Sequence, residues 1–320
     1  MSKLVKLAGI FTVVAAISGN VAAQDNYPSR PITVISPWTA GGVGDISARL
    51  IGEPMGKTLG QPLVIDSRAG GGSKIGTEVV LKAPRDGYTL LFQNVVHAML
   101  PTTGGPLNYD PVRDFAPVIQ STSYPLMLVA HPSVPANTLR ELIAHLKNNP
   151  GKVSYGSGGT GSAMHFAGEM LKFMAGVDML HVPYKGMSAA VNDTIAAHVQ
   201  LSFDAFAKAA IDAGRLKAIA TTGPERDPRF PELPAIAELY AGYRVTAWQG
   251  FMAPAGVPRE IVMKLNAAAN AALREPGVQA KFKEMGLTVI GGTPEDFATL
   301  IRDDIAMYRR VATEAKLKFE

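Results

Sequence analysis

The chain has 320 residues, 31 Lys+Arg against 27 Asp+Glu, 47% apolar residues and no cysteine. That length accommodates two domains or one large α/β domain, and the apolar content, with 32 Gly and 23 Pro, excludes a charge-driven disordered chain and a coiled coil. Zero cysteine removes thiolate zinc sites, Cys-ligated clusters, Cys nucleophiles and a disulfide scaffold; 18% charged residues with a dispersed balance of +4 give no nucleic-acid-binding stripe.

The first predicted element is a leader. Lys3 and Lys6 precede an apolar run from Leu7 to Ile17, Ser18-Gly19-Asn20 breaks it, and Val21-Ala22-Ala23 places small residues before Gln24. This pattern predicts a secretory signal peptide over 1–23. The run is well short of the ~20 residues that a membrane span needs, and no Cys follows to carry a lipid. The remainder is expected to be exported and soluble.

Ile32–Ser36 reads as a buried strand. Pro37 to Gly44 is a loop, and Asp45 can cap the helix that follows, which Pro54 should kink or end. A strand (Leu63–Asp66), a glycine loop (Gly70-Gly71-Gly72) and a helix from Lys74 come next. Tyr88–Phe92 is a strand, and Asn94 to Pro101 turns out of it. Leu126–Ala130 is a strand, and Thr138 with Glu141 forms a capping box for a helix to Asn148. Val153–Tyr155 leads into Gly156-Ser157-Gly158-Gly159-Thr160-Gly161-Ser162 and a helix carrying His165. Further strands are expected at Met179–Val182, Leu201–Phe203, Leu216–Thr221 and Trp248–Met252. Pro258 opens a helix at its first turn, and Thr293 starts the last one, to about Ala315.

This alternation predicts an α/β protein with mostly parallel sheets. Two strand–glycine-loop–helix starts, Ile32 to Asp45 and Val153 to His165, suggest two similar halves with a cleft between them. Ligands of open α/β sheets sit at the carboxyl ends of the strands, where both loops would lie.

Gly156-x-Gly158-x-x-Gly161 matches a dinucleotide fingerprint, and Asp178 follows at a plausible distance. The acid should close the next strand, whereas Asp178 precedes Met179–Val182. A loop whose amides and helix N-terminus favour an anion fits better. His165 and Glu169 lie one helical turn apart without a second His, which favours a capping or packing histidine over zinc. No Gly-x-Ser-x-Gly elbow and no P-loop are present. No catalytic residue, metal ligand or cofactor is assigned.

Nine stretches in order then carry a resemblance. They are Pro37 to Asp45, Arg68 to Gly76, Pro84 to Leu90, Asp114 to Val118, Tyr155 to His165, His181 to Gly186, Phe203-Asp204, Gly214 to Ala218 and Ala253 to Pro258. Together they make the chain similar to the solute-binding receptors of tripartite tricarboxylate transporters, the Bug (TctC-like) family. Thr39, Ala69, Lys74 and the run Ala205 to Lys208 depart from the family pattern, which bears on ligand identity rather than fold.

The resemblance implies a type II periplasmic binding protein: two α/β lobes, a ligand cleft, two crossing segments and hinge closure. Lobe one is expected over 27–124 plus 246–320, and lobe two over 125–245, with crossings near Ser121–Tyr124 and Tyr243–Trp248. The expected function is a monomeric periplasmic receptor that delivers a small carboxylate to the membrane subunits of a transporter, without nucleic acid. The expected contacts are Trp38, Thr39, Ala40, Gly41, Gly42, Asp45 and Asn94 from lobe one. Lobe two would supply Ser157, Gly158, Gly159, Thr160, Gly161, Ser162, His165, Tyr184, Lys185 and Asp204. The alternative is an exported α/β enzyme holding a nucleotide cofactor on the Gly156–Gly161 loop.

Overall fold

Strands that are apolar at almost every position must be covered on both faces, and this chain puts them in the middle of two sheets with helices around them. The computed structural model describes residues 27–103, 105–205 and 207–317. The expected signal peptide lies outside the described residues.

The first sheet begins with β1 (Ile32–Ser36), α1 (Val43–Leu59), β2 (Leu63–Ser67), α2 (Lys74–Leu81), β3 (Thr89–Asn94), α3 (Val96–Thr103) and β4 (Phe115–Pro125). The second is built from β5 (Met127–Ala130), α4 (Leu139–Asn148), β6 (Ser154–Ser157), α5 (Ala163–Ala175), β7 (Leu180–Pro183), α6 (Met187–Ile195), β8 (Leu201–Asp204), α7 (Lys208–Asp212) and β9 (Lys217–Thr221). The chain then returns to the first sheet with β10 (Thr246–Pro254), α8 (Arg259–Leu273), α9 (Pro276–Glu284), β11 (Thr288–Val289) and α10 (Pro294–Glu314). Strand orders are β11-β4-β10-β3-β1-β2 and β7-β6-β8-β5-β9. The fold is α/β with two lobes, one per sheet.

The sheets are mixed rather than mostly parallel. β1 pairs in parallel with β2 and β3, and β6 with β7 and β8. β10 runs antiparallel to β3 and β4, and β5 antiparallel to β8 and β9. The reason is the crossing: β5 and β10 are the first strands after the chain changes lobes, so each enters from the lobe junction while its neighbours run toward it. The carboxyl ends of β1, β3, β6 and β8 therefore all point at the junction.

The crossings are joined at Thr222. Its N–H donates to Leu126 O (2.9 Å), its Oγ1 accepts from Leu126 N (2.8 Å) and donates to Val245 O (2.6 Å), and Val245 N donates to Thr222 O (2.9 Å). Beside them Trp248, fully buried, donates Nε1–H to Asp304 Oδ2 at 2.8 Å, and Arg244 pairs with Asp304 Oδ1 at 2.6 Å. Burial raises the Asp304 pKa, and Arg244 and Trp248 oppose that rise. Helix α10 also packs on lobe two: the Tyr308 and Phe166 rings lie 4.7 Å apart.

Two local expectations change, and one element is added where the sequence reading assigns none. Pro54 neither ends nor breaks α1, which continues to Leu59 with Ile51, Met55 and Leu59 buried; burial of that face outweighs the lost backbone bond. The expected turn after β3 gives way to a helix, Val96–Thr103, entered through a turn in which Asn94 Oδ1 accepts from Val96 N at 2.9 Å. The proline-bearing stretch Phe115–Pro125 is a strand. Pro117 pairs with Met252 beside a register shift, where a missing N–H costs the ladder little.

Candidate ligand-binding cleft

The lobe-one loop leaves β1 at the junction and enters α1. Gly42 is the helix N-cap, with no side-chain bond, so Asp45 is not the cap. Asp45 is buried and works from beneath. Its carboxylate accepts from Gly41 N, from Arg49 Nε and Nη2 (each 3.0 Å), and from Ser67 Oγ (2.9 Å). The Arg49 hydrogen bond, outweighing burial, holds its pKa below the usual carboxylate value. Gly41 takes φ +78°, and Gly42 N closes a turn on Thr39 O at 3.1 Å. Thr39, Ala40 and Gly41 are exposed, and Trp38 is half-buried over Gly44, where a Cβ would lie 2.8 Å from the indole. The buried Trp38 Nε1 has no hydrogen-bond partner among the described residues. Among the described residues the amides of Ala40, Val43 and Gly44 also have none, as expected of a helix's first turn.

The lobe-two loop leaves β6 and enters α5. Most of its amides are already used. Gly158 N donates to Met164 Sδ (3.2 Å), Gly159 N to Ser157 Oγ (3.1 Å), Gly161 N to His165 Nδ1 (3.0 Å) and Ser162 N to Gly159 O (3.1 Å). Ser162 caps the helix by accepting from His165 N at 3.3 Å. The amides of Thr160, Ala163 and Met164 have no partner among the described residues. So the helix N-terminus and one exposed loop residue, rather than the three fingerprint glycines, present donors. This is unsuited to a pyrophosphate wrapped by the glycine loop, and Asp178 lies before β7, with Oδ1 3.9 Å from Lys172 Nζ. Gly161 has φ +79°, and a Cβ there would sit 2.7 Å from Thr103 Cβ at the end of α3, so the lobe-two loop rests directly on lobe one.

The other expected residues divide. Asn94 and Asp204 stand at the junction ends of β3 and β8; Asp204 is buried and paired in register with Met127. Asn94 Oδ1 is engaged by Val96 N in the turn from β3 into α3. His165 is buried and turned inward to the loop, stacked on His181 with ring centroids 4.0 Å apart. Burial, then His181, pushes its pKa down to about 3. Tyr184 N donates to Ser157 O at 2.9 Å, and burial and a bond to Asp193 raise its phenol to about 12. Lys185 is exposed and forms no ion pair with Asp204 among the described residues. Sequence reading missed His181, whose Nε2 lies 2.7 Å from Ser157 Oγ, and Tyr155, whose OH donates to Glu169 Oε1 at 2.7 Å. They are register partners on adjoining strands β6 and β7, a pairing that the sequence does not show.

Two α/β lobes joined by two crossings, with helix N-termini opening on the junction, define the class of two-lobed solute-binding proteins. The model of the tripartite tricarboxylate transporter family receptor (TctC) matches residues 47–317, and the chain belongs to that family. It is 34% identical to protein BugT of Bordetella pertussis over 99% of both chains. Two solved structures are also similar. An R. palustris protein with adipate is 34% identical, with TM-score 0.76 over 91% of this chain and 98% of that one. MatC from Rhodopseudomonas palustris with bound malate is 32% identical, with TM-score 0.73 over 89% and 99%.

Proposed function

We propose that this receptor captures a small dicarboxylate between its lobes and delivers it to the membrane subunits of a tripartite transporter, after export by the leader at 1–23. The observation that carries the reading is the pair of helix N-termini, α1 and α5, each at the junction end of its strand and each with amides that have no partner among the described residues. The adipate and malate bound by similar proteins set the ligand class. Lobe one is read as 27–124 plus 246–320 and lobe two as 125–245, closing about Leu126, Thr222 and Val245. The contacts are Trp38 to Gly42 from lobe one and Thr160 with the start of α5 from lobe two. Asp45 and His165 shape those loops, and Asn94 stands at the junction end of β3.

Each hydrogen bond to a carboxylate is worth roughly 1.5–3 kcal/mol, so a handful supports micromolar binding after association costs. The test is calorimetry against adipate, malate, citrate, aromatic acids and amino acids, with a nicotinamide dinucleotide as control. Micromolar binding of a dicarboxylate is expected. Tight dinucleotide binding without any acid would reject the receptor reading in favour of an exported enzyme.

A further inference from the structure

Anion capture by amides needs a loop whose free N–H groups are the right ones, and two histidines underneath decide which amides remain free. His165 Nδ1 accepts from Gly161 N at 3.0 Å. A ring nitrogen that accepts an N–H carries no proton, so this imidazole is neutral with its proton on Nε2. His181, stacked on it at 4.0 Å and 14°, meets Ser157 Oγ at 2.7 Å, and that oxygen accepts from Gly159 N at 3.1 Å. The two arms thus hold Gly161 directly and Gly159 through Ser157. Tyr155 also stacks on His181, with centroids 5.0 Å apart, and its OH is bonded to Glu169. Lys172 donates to Glu169 Oε1 at 3.1 Å, and Asp178 lies on its other side. Two carboxylates thus face one ammonium on that side, and the neutrality of His165 rests on the Gly161 N–H that its Nδ1 accepts.

We propose that His165 and His181 are positioning residues for ligand binding: a stacked pair of imidazoles that clamps the Ser157–Ser162 loop so that Thr160 and the first amides of α5 face the ligand. The proposal rests on the receptor reading for its link to binding, but the clamp itself is a property of the free protein.

Asn at position 165 places an acceptor oxygen where Nδ1 stands, whereas Leu fills the space without one. The experiment compares His165→Asn with His165→Leu, by calorimetry with adipate and malate and by amide hydrogen exchange at Gly161. The Asn variant is expected to keep its affinity within about threefold, and the Leu variant to lose about five- to tenfold, with faster Gly161 exchange. A purely packing role predicts the opposite order, because Leu suits the apolar side of the cavity better. Equal affinities, or tighter binding by the Leu variant, would overturn the clamp. If the parent binds neither acid, the dicarboxylate reading fails and exchange alone decides. Slow exchange in parent and Asn variant with fast exchange in the Leu variant supports the clamp, and equal rates reject it. Should the Leu variant not fold, His181→Phe keeps a stacked ring but removes the nitrogen at Ser157 Oγ; faster Gly159 exchange supports the clamp and unchanged exchange defeats it.

Discussion

Two glycines in the binding loops differ in why they are glycine. Gly161 has φ +79° and no room for a methyl beside Thr103. Gly161→Ala is expected to destabilise the protein by about 1–3 kcal/mol and to weaken binding together with a lowered Tm. Gly42 has an ordinary φ of −74°, and a Cβ there would meet Thr39 alone, its O at 3.1 Å and its Oγ1 at 3.6 Å. Gly42→Val is expected to crowd the ligand with a much smaller change in Tm. Thermal melts paired with calorimetry separate the two, and unaltered acid binding by Gly42→Val would show that the lobe-one loop only turns the chain. Asp45→Asn weakens a carboxylate that ties loop, helix and β2 together. Because Arg49 is half-exposed the loss is set at about 1–2 kcal/mol. Asp45 has a depressed pKa, so its contribution is complete above its ordinary value of 3.8 and disappears as pH falls below it.

At the scale of elements, α5 and α3 both bury imidazoles. His165 is pushed down to about 3 and His97 to about 4, in each case chiefly by burial, and His97 Nε2 meets Pro111 O at 2.9 Å. A depressed histidine pKa means that the unfolded chain binds the proton more readily. Stability from these groups is therefore complete above their ordinary value of 6.5 and is lost as pH falls from there toward 4. Urea midpoints at pH 8, 6 and 4.5 should fall in that order, with a loss on the order of 2–3 kcal/mol attributable to His97. His97→Asn should flatten the acid limb while costing stability at pH 8; an unchanged limb would show that other groups control it.

On the scale of the whole molecule, the lobes are tied beside the crossings by Arg229. It pairs with buried Asp227 and donates Nη1–H to Gly286 O at 2.6 Å, from the lobe-two side to the turn before β11. Closure about Thr222 is expected to bury the ligand and exclude water from its contacts. Saturating adipate should reduce the radius of gyration and raise Tm by mass action. Trp38, half-buried in the loop with an Nε1 that has no partner among the described residues, should report binding by fluorescence, whereas Trp248, sealed against Asp304, should stay silent. Arg229→Met should shift the closing equilibrium and change adipate affinity without a ligand contact. An identical scattering profile with and without bound adipate would mean a rigid receptor and would reject hinge closure.

Much of the architecture was readable from local pattern. Apolar runs, the Thr138 and Thr293 caps and the two glycine loops depend on neighbours in sequence, and they placed most strands and helices and both site loops. The mixed sheets were not readable, because strand direction depends on where the chain re-enters a lobe. Nor was β4, where Pro117 is tolerated only because a shift in the facing strand removes the need for its N–H. In the site, the identity of the loops follows from the residues themselves: glycines at positive φ and a helix start make an anion-friendly turn in any context. Which groups remain free to bind is a tertiary outcome. Asp45 is taken by Arg49 and Ser67 from another strand, and the Gly161 amide by a histidine held in place by stacking on β7. Hydrogen-bonding capacity belongs to the residue, but whether it is already satisfied depends on what the fold brings within about 3 Å of it.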